Sequence, residues 1–233
     1  MDLYKNLSEK AAKQKSFISL TGGGGKTTLM VGLASYLRDE GKRVLMTTTT
    51  KIMSPSFHDY KTDEIFSNDD VMDYFPEGPC SVLYALGDEQ TNKWHCPPIE
   101  NLNALRDRYD VVINEADGSK RLPLKVHTQR DPVVPDFTTY TISVMGLWGI
   151  GKKACDVAFG DCRDILVDKA YLQWYLSDSE CLLKGSITNN RAIVFNGAEA
   201  FEDFDLLKKL KYPKDVFVCM ASEMEGKLYG KIQ

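Results

Sequence analysis

The fold is decided by the stretch Ser16-Phe17-Ile18-Ser19-Leu20-Thr21-Gly22-Gly23-Gly24-Gly25-Lys26-Thr27-Thr28. Its apolar run, 17–20, predicts a short buried strand, and four glycines follow that strand. After the glycines, apolar residues recur at positions 29, 30, 33, 34 and 37, which is the spacing of an amphipathic helix. A strand, a glycine turn and a helix that opens with Lys-Thr together predict a phosphate-binding P-loop.

The residue types in this loop suit the binding of a nucleoside triphosphate. Gly22, Gly23, Gly24 and Gly25 lack a Cβ, so the backbone can turn its N–H groups toward an anion, and the helix N-terminus adds its positive dipole. Lys26 is expected to reach the β- and γ-phosphates, Thr27 to bind Mg²⁺ and Thr28 to hydrogen-bond near the α-phosphate. The match is incomplete, because Leu20 stands where the first glycine of G-x-x-x-x-G-K-[ST] belongs.

A second informative stretch covers 109–121, where an apolar strand ends in Glu115 and Asp117 before a glycine turn. Strand alternation places these two carboxylates on one face. Carboxylates beside a P-loop are what a hard Mg²⁺ ion requires. We therefore predict that Thr27, Glu115 and Asp117 hold the metal and that Lys26, Glu115 and Asp117 are the catalytic residues. His127, farther along, is expected to be a polar loop residue rather than a general base.

Strands alternate with helices along the whole chain, which predicts an α/β fold. We expect one domain over 1–233 with the three-layer architecture of P-loop NTPases, a mostly parallel sheet with helices on both faces. Predicted elements include a strand over 44–50, a helix over 164–176, a strand ending at Asn196 and a helix over 199–210. Ligands lie beyond the carboxyl ends of such strands, so 49–51 and Asn196 are expected near the nucleotide.

Composition excludes several classes of partner. The 233 residues are 43% hydrophobic and carry a net charge of −4, which favours neither nucleic acid nor a membrane surface as the main partner. No apolar run approaches the length of a transmembrane helix. The six cysteines include no C-x-x-C pair, which indicates reduced thiols in a cytoplasmic protein.

With these motifs identified, the chain resembles the YqeC family of selenium-dependent hydroxylase accessory proteins. The resemblance rests on four stretches, which are 21–28, 47–52, 115–119 with 122–125, and 131–135. It implies a P-loop nucleoside triphosphatase that acts in maturation of a selenium-dependent molybdenum hydroxylase or its cofactor. Asn196 stands where relatives have an Asn-Lys-x-Asp-like base-recognition element. Here the element reads Asn196-Gly197-Ala198-Glu199, so the choice between ATP and GTP stays open.

Three functions compete at this point. The first is an accessory Mg²⁺-dependent NTPase coupled to a partner such as the hydroxylase or its maturation proteins. The second is a small-molecule kinase or nucleotidyl transferase acting on a cofactor precursor, and the third is a nucleotide-sensing module with little turnover. We favour the first of these three functions.

Overall fold

The computed structural model describes residues 1–13, 15–88 and 90–233. Within these ranges the strands are, in chain order, β1 (Ser16–Gly22), β2 (Arg43–Thr48), β3 (Lys51–Met53), β4 (Glu64–Phe66), β5 (Cys80–Tyr84), β6 (Lys93–His95), β7 (Val111–Glu115), β8 (Leu124–Lys125), β9 (Tyr140–Gly146), β10 (Ala158–Phe159), β11 (Arg191–Asn196), β12 (Val216–Ser222) and β13 (Lys227–Lys231). The α-helices are α1 (Leu3–Ala11), α2 (Lys26–Asp39), α3 (Ile99–Leu105), α4 (Ala154–Val157), α5 (Lys169–Ser177) and α6 (Phe204–Lys208). Three short 3₁₀ helices cover Asp69–Asp73, Leu147–Gly149 and Ala198–Ala200.

The main sheet has nine strands in the order β13-β12-β11-β9-β1-β7-β2-β5-β4. Its neighbouring strands run parallel except for the β12–β13 pair, which is antiparallel. The chain leaves β1 toward β2 on one side and later crosses from β7 to β9 on the other. Ligands in open α/β sheets bind beyond the carboxyl ends of strands at such a reversal, so the topology directs attention to the end of β1.

Helices cover both faces of the sheet, as the alternation of strands and helices predicts. Helices α1 and α2 pack on one face, where Ile18 and Leu20 of β1 are fully buried. Helix α3 packs on the opposite face with Phe17, and α5 and α6 cover the same face farther along the sheet. The α/β class and the mostly parallel sheet between helical layers are therefore confirmed, and the arrangement is consistent with a three-layer P-loop fold.

Two predicted helices are shorter than expected because aspartates cap later starts. The helix predicted over 164–176 begins only at α5, where the Asp168 carboxylate accepts a hydrogen bond from the Tyr171 N–H at 2.9 Å. The helix predicted over 199–210 is divided into a 3₁₀ turn and α6, which the Asp203 carboxylate caps through the Leu206 N–H at 3.0 Å. An aspartate carboxylate at the N-cap accepts a hydrogen bond from an N–H group in the first turn of the helix, so the helix begins directly after that aspartate.

The end of β2 also differs from the prediction. The strand stops at Thr48, whose hydroxyl accepts a hydrogen bond from the Thr50 N–H at 3.1 Å and so bends the chain. The bend leads into β3, which pairs with β6 as a separate antiparallel ribbon. No helix within the described ranges is long and apolar enough to cross a membrane.

Candidate functional site

The glycine loop joins the carboxyl end of β1 to the first turn of α2. Gly24 and Gly25 have φ angles of 73° and 124°, which side chains rarely tolerate. A Cβ on Gly24 would lie 2.4 Å from the Gly146 nitrogen, so the neighbouring strand end excludes a side chain there. The sequence therefore has glycine at these positions for both conformational and packing reasons.

The first three glycine N–H groups are held by the protein itself. The hydrogen bonds are Gly22 N–H to Asp117 Oδ2 at 2.8 Å, Gly23 N–H to the Val144 carbonyl at 2.9 Å and Gly24 N–H to the Leu122 carbonyl at 3.0 Å. The first N–H groups of an α-helix have no partner within the helix. The N–H groups left open for an anion at this loop are therefore chiefly those in the first turn of α2, where the helix dipole also favours negative charge.

Lys26 lies at the floor of the loop with only 3% of its surface exposed. Its Nζ donates a hydrogen bond to the Gly22 carbonyl at 2.6 Å and lies 2.9 Å from Asp117 Oδ1 and 3.9 Å from Glu115 Oε1. Burial by itself lowers the pKa of Lys26, but the two carboxylates outweigh it and raise that pKa. The lysine is therefore charged, and its contacts with Gly22 and Asp117 hold it beside the glycine loop.

Asp117 is fully buried behind the loop rather than exposed toward a ligand. Burial favours a raised pKa for this carboxyl, but Lys26, His127 and the Gly22 N–H lower the pKa to about 2. The carboxylate therefore anchors both Lys26 and the start of the glycine loop. Asp117 is not among the residues that line the cavity above the loop, whereas Glu115 is.

His127 joins Asp117 to the α5 side of the molecule. Its Nε2 lies 2.6 Å from Asp117 Oδ2, and its Nδ1 lies 2.9 Å from the Cys181 carbonyl. The ring therefore bridges the Asp117 carboxylate and the Cys181 carbonyl. The sequence suggested an ordinary polar loop residue, whereas the structure gives a buried side chain that supports Asp117 and the glycine loop from behind.

Thr27 and Glu115 are the oxygen ligands that the structure offers to a metal ion. The Thr27 hydroxyl donates a hydrogen bond to Glu115 Oε2 at 2.7 Å, and both residues line the cavity above the loop. Burial raises the pKa of Glu115, while Lys26 and Thr27 oppose that rise. Mg²⁺ usually takes one or two protein oxygens and completes its shell with phosphates and water, so this pair fits the ion. Within the described ranges, no group of three His, Cys, Asp or Glu side chains forms a metal site by itself.

The cavity above the glycine loop has a volume of about 540 Å³, which is in the range of small-molecule sites. Lys26, Thr27, Thr28 and Glu115 lie along its middle. One end is formed by the carboxyl ends of β11 and β12 with the turn after β9. The other end is formed by the β3–β6 ribbon and the turn after β7.

Asn196 lies at the β11 end of the cavity, as predicted, but its amide is already engaged. Its Nδ2 donates hydrogen bonds to the Gly24 carbonyl at 2.8 Å and to Glu223 Oε2 at 2.9 Å, and its Oδ1 accepts one from the Glu223 N–H at 3.0 Å. The side chain therefore ties β11 and β12 to the glycine loop. Reading a nucleobase directly would require Asn196 to give up one of these bonds.

Trp148 and Glu223 are site residues that the sequence analysis did not select. Trp148 is 44% exposed, and its ring lies so close to Gly146 and Gly197 that a Cβ on either would approach it within 3 Å. Glu223 is buried at the end of β12, and burial raises the pKa of its carboxyl well above the ordinary value. Neither residue belongs to a sequence motif. They reach the glycine loop only because the carboxyl ends of β9, β11 and β12 meet there in the folded protein.

The four stretches that carry the family resemblance converge on this site. The Val133 N–H donates to the Ala116 carbonyl at 2.9 Å, and the Thr49 hydroxyl donates to the Val133 carbonyl at 2.5 Å. Lys125, fully buried, donates to the Gly118 carbonyl at 2.9 Å and pairs with Asp131. Residues 122–125 and 131–135 therefore both hold the turn that follows Glu115 in place.

Two comparisons with known proteins gave matches. The model of the family described as "YqeC protein" matches residues 18–160, which include the glycine loop and the Glu115 turn. An uncharacterized protein YqeC of Escherichia coli (strain K12) is 35% identical over 149 residues, which cover 61% of this chain and 56% of that protein. The alignment thus spans somewhat more than half the length of that relative.

Proposed function

The chain belongs to the YqeC family, and we propose that it is a Mg²⁺-dependent nucleoside triphosphatase that binds ATP or GTP at residues 22–28. The observation that carries the proposal is the position of Lys26. This lysine begins α2 directly after four glycines and lies charged at the floor of a cavity beyond the carboxyl end of β1. A buried cation, open helix N–H groups and a hydroxyl–carboxylate pair in one cavity suit a triphosphate with its metal.

Each residue has a distinct part in this proposal. The open N–H groups of the first turn of α2 bind the phosphates, and Lys26 exchanges part of its contact with Asp117 for a phosphate oxygen. Thr27 and Glu115 would hold Mg²⁺, which neutralises charge on the phosphates when it is bound. Asp117 and His127 keep Lys26 and the loop in place throughout.

The nucleobase would lie at the β11 end of the cavity. Trp148 offers an exposed ring face there, and base–aromatic stacking tolerates every base. Glu199 is exposed at the same end and could accept hydrogen bonds from a purine. Because Asn196 is engaged with Gly24 and Glu223, we expect only weak selection between ATP and GTP.

For the biological role, we propose an accessory factor that acts in the cytoplasm on a selenium-dependent molybdenum hydroxylase or its cofactor. The support is the resemblance of the four stretches around the site, together with cysteines that are all unpaired in the structure. The nucleotidyl transferase, kinase and nucleotide-sensing alternatives all use the same triphosphate site.

The direct test is nucleotide binding and product analysis with the full chain. We expect ATP and GTP to raise the melting temperature in the presence of Mg²⁺ more than in EDTA, and slow release of inorganic phosphate. Thr27→Val should weaken the Mg²⁺-dependent part, whereas Thr188→Val, at an exposed turn that does not line the cavity, should not. Absence of any nucleotide-dependent shift at millimolar concentration, with a native circular dichroism spectrum, would refute the proposal.

A further inference from the structure

The end of the cavity opposite Trp148 is strongly basic. It is lined by Lys51, Lys93, Lys120 and Arg121, and the carboxylates that line the same cavity are Glu115, Glu199 and Glu223. None of the four cations has a carboxylate within ion-pair distance inside the described parts of the chain. A chain with a net charge of −4 therefore gathers four unpaired cations around one end of one cavity.

The β3–β6 ribbon presents two of these cations by its register. Ile52 pairs with Trp94, and both side chains are buried in the core. Met53 pairs with Lys93 in the next position, and side chains alternate along a strand, so Lys51 and Lys93 lie on the opposite, exposed face of the ribbon. The hydrophobic anchoring of one face thus fixes the two lysines at the cavity.

The turn after β7 presents the other two cations at some conformational cost. Lys120 and Arg121 have φ angles of 50° and 65°, a left-handed conformation that non-glycine residues seldom adopt. Such strain is retained mainly where surrounding structure and function require it. The Lys120 ammonium also lies 5.2 Å from the centre of the Phe159 ring, which holds its side chain without neutralising it.

His58 supplies an independent observation at the same end. Its Nε2 is buried, yet it has no hydrogen-bond partner among the described residues. The ring lines the cavity together with the four cations. A buried polar atom without a partner is costly, and an anionic ligand oxygen would satisfy it.

We propose that this basic end, formed by Lys51, Lys93, Lys120 and Arg121 with His58, binds a second anionic ligand that carries a phosphate group, beside the terminal phosphate of the bound nucleotide. The inference rests on the proposed nucleotide site and adds a second substrate to it. The triphosphate is already matched by Lys26, the first turn of α2 and Mg²⁺. Four further cations exceed what the same phosphates require, and a phosphate monoester is the simplest ligand that uses them.

The test measures binding of a second anion to protein already saturated with a non-hydrolysable ATP analogue and Mg²⁺. Isothermal titration uses glycerol 2-phosphate as the phosphate probe and malonate as the carboxylate probe at fixed ionic strength. The variant is Lys51→Gln/Lys93→Gln. The matched control is Lys42→Gln/Lys152→Gln, which removes the same charge from exposed positions outside the cavity.

We expect saturable binding of glycerol 2-phosphate to the loaded wild-type protein, with malonate weaker. The affinity should fall at least tenfold in Lys51→Gln/Lys93→Gln and stay within twofold in the control pair. The affinity for the ATP analogue should stay within twofold in both variants. Equal or tighter binding of malonate would overturn the phosphate assignment.

Two results would overturn the second site as a whole. One is the absence of glycerol 2-phosphate binding to the loaded wild-type protein. The other is an equal loss of ATP-analogue affinity in Lys51→Gln/Lys93→Gln, which would assign the cations to the phosphates of the nucleotide itself. A protein that binds no nucleotide but binds glycerol 2-phosphate through these lysines would refute the proposed function and leave the anion site standing.

Discussion

Lys26→Met should destabilise the protein even without nucleotide, because the lysine belongs to a buried charge cluster. Its Nζ lies 2.9 Å from Asp117 Oδ1, and the two side chains are 3% and 0% exposed. Removing one partner of a buried ion pair costs about 3–5 kcal/mol, since it leaves the other charge buried. We expect the low end, about 3 kcal/mol of unfolding free energy, because His127 and the Gly22 N–H still stabilise the Asp117 carboxylate.

The pH dependence follows from the direction of each pKa shift. The pKa of Lys26 is raised, so its contribution is complete at neutral pH and is lost only as the pH rises through that raised value. The pKa of Asp117 is lowered to about 2, so its contribution is present above its ordinary pKa and is lost as the pH falls toward 2. The difference between wild type and Lys26→Met should therefore be largest near pH 7 and should shrink below pH 4.

Urea unfolding followed by circular dichroism, at pH 7 and pH 3.5, measures this difference. Lys26→Met/Asp117→Asn should cost less than the sum of the two single variants, because the two substitutions remove one shared interaction. Lys208→Met is the control, since Lys208 forms only an exposed pair with Asp205 and should change stability by less than about 0.5 kcal/mol. A Lys26→Met variant as stable as wild type at pH 7 would show that the buried cluster is wrongly described.

Three further predictions concern the cavity and the core. Trp148→Ala should weaken ATP about tenfold, near 1.4 kcal/mol, yet leave inorganic tripolyphosphate unchanged in competition binding; equal losses for both would remove Trp148 from the base end. Glu115→Gln should shift the Mg²⁺ titration of nucleotide stabilisation to higher concentration, whereas Asp117→Asn should mainly lower apo stability; the reverse pattern would make Asp117 the metal ligand. Hydrogen bonding to Arg163 lowers the pKa of Asp161 to about 2, so Asp161→Asn should cost about 1–2 kcal/mol at pH 7. The stability lost by wild type between pH 4 and pH 2 should be smaller in that variant, and an unchanged acid profile would contradict this account.

The sequence was most informative where local geometry and composition agree. The strand, the glycine loop and the helix that begins at Lys26 all lie where the pattern of 16–39 predicted them. Glycine has no substitute at a φ of 124°, and helical spacing of apolar residues repeats within one turn, so both signals are local. The strand that ends at Glu115 and the strand that ends at Asn196 were predicted for the same reason.

Other features could not be predicted from the sequence because they depend on contacts between residues that are far apart in the chain. Asp117 and Glu115 look alike in sequence, yet one is buried against Lys26 and His127 and the other faces the cavity beside Thr27. Asn196 looked free to read a base, but Glu223, 27 positions later in the chain, occupies its amide. Hydrogen-bond competition of this kind is settled by side chains that meet only after folding.

The sequence by itself therefore determined the α/β class, the position of the glycine loop and the set of residues near it. The tertiary structure alone decided the position of each of these residues. It shows which of them line the cavity and which are buried behind the glycine loop. It also brought Trp148, His58 and the lysines of the β3–β6 ribbon to the two ends of one cavity. The physical reason is that backbone conformation and hydrophobic periodicity depend on residues that are neighbours in the sequence. Burial, charge pairing and cavity shape depend on strand ends that are far apart in the chain and meet only after folding.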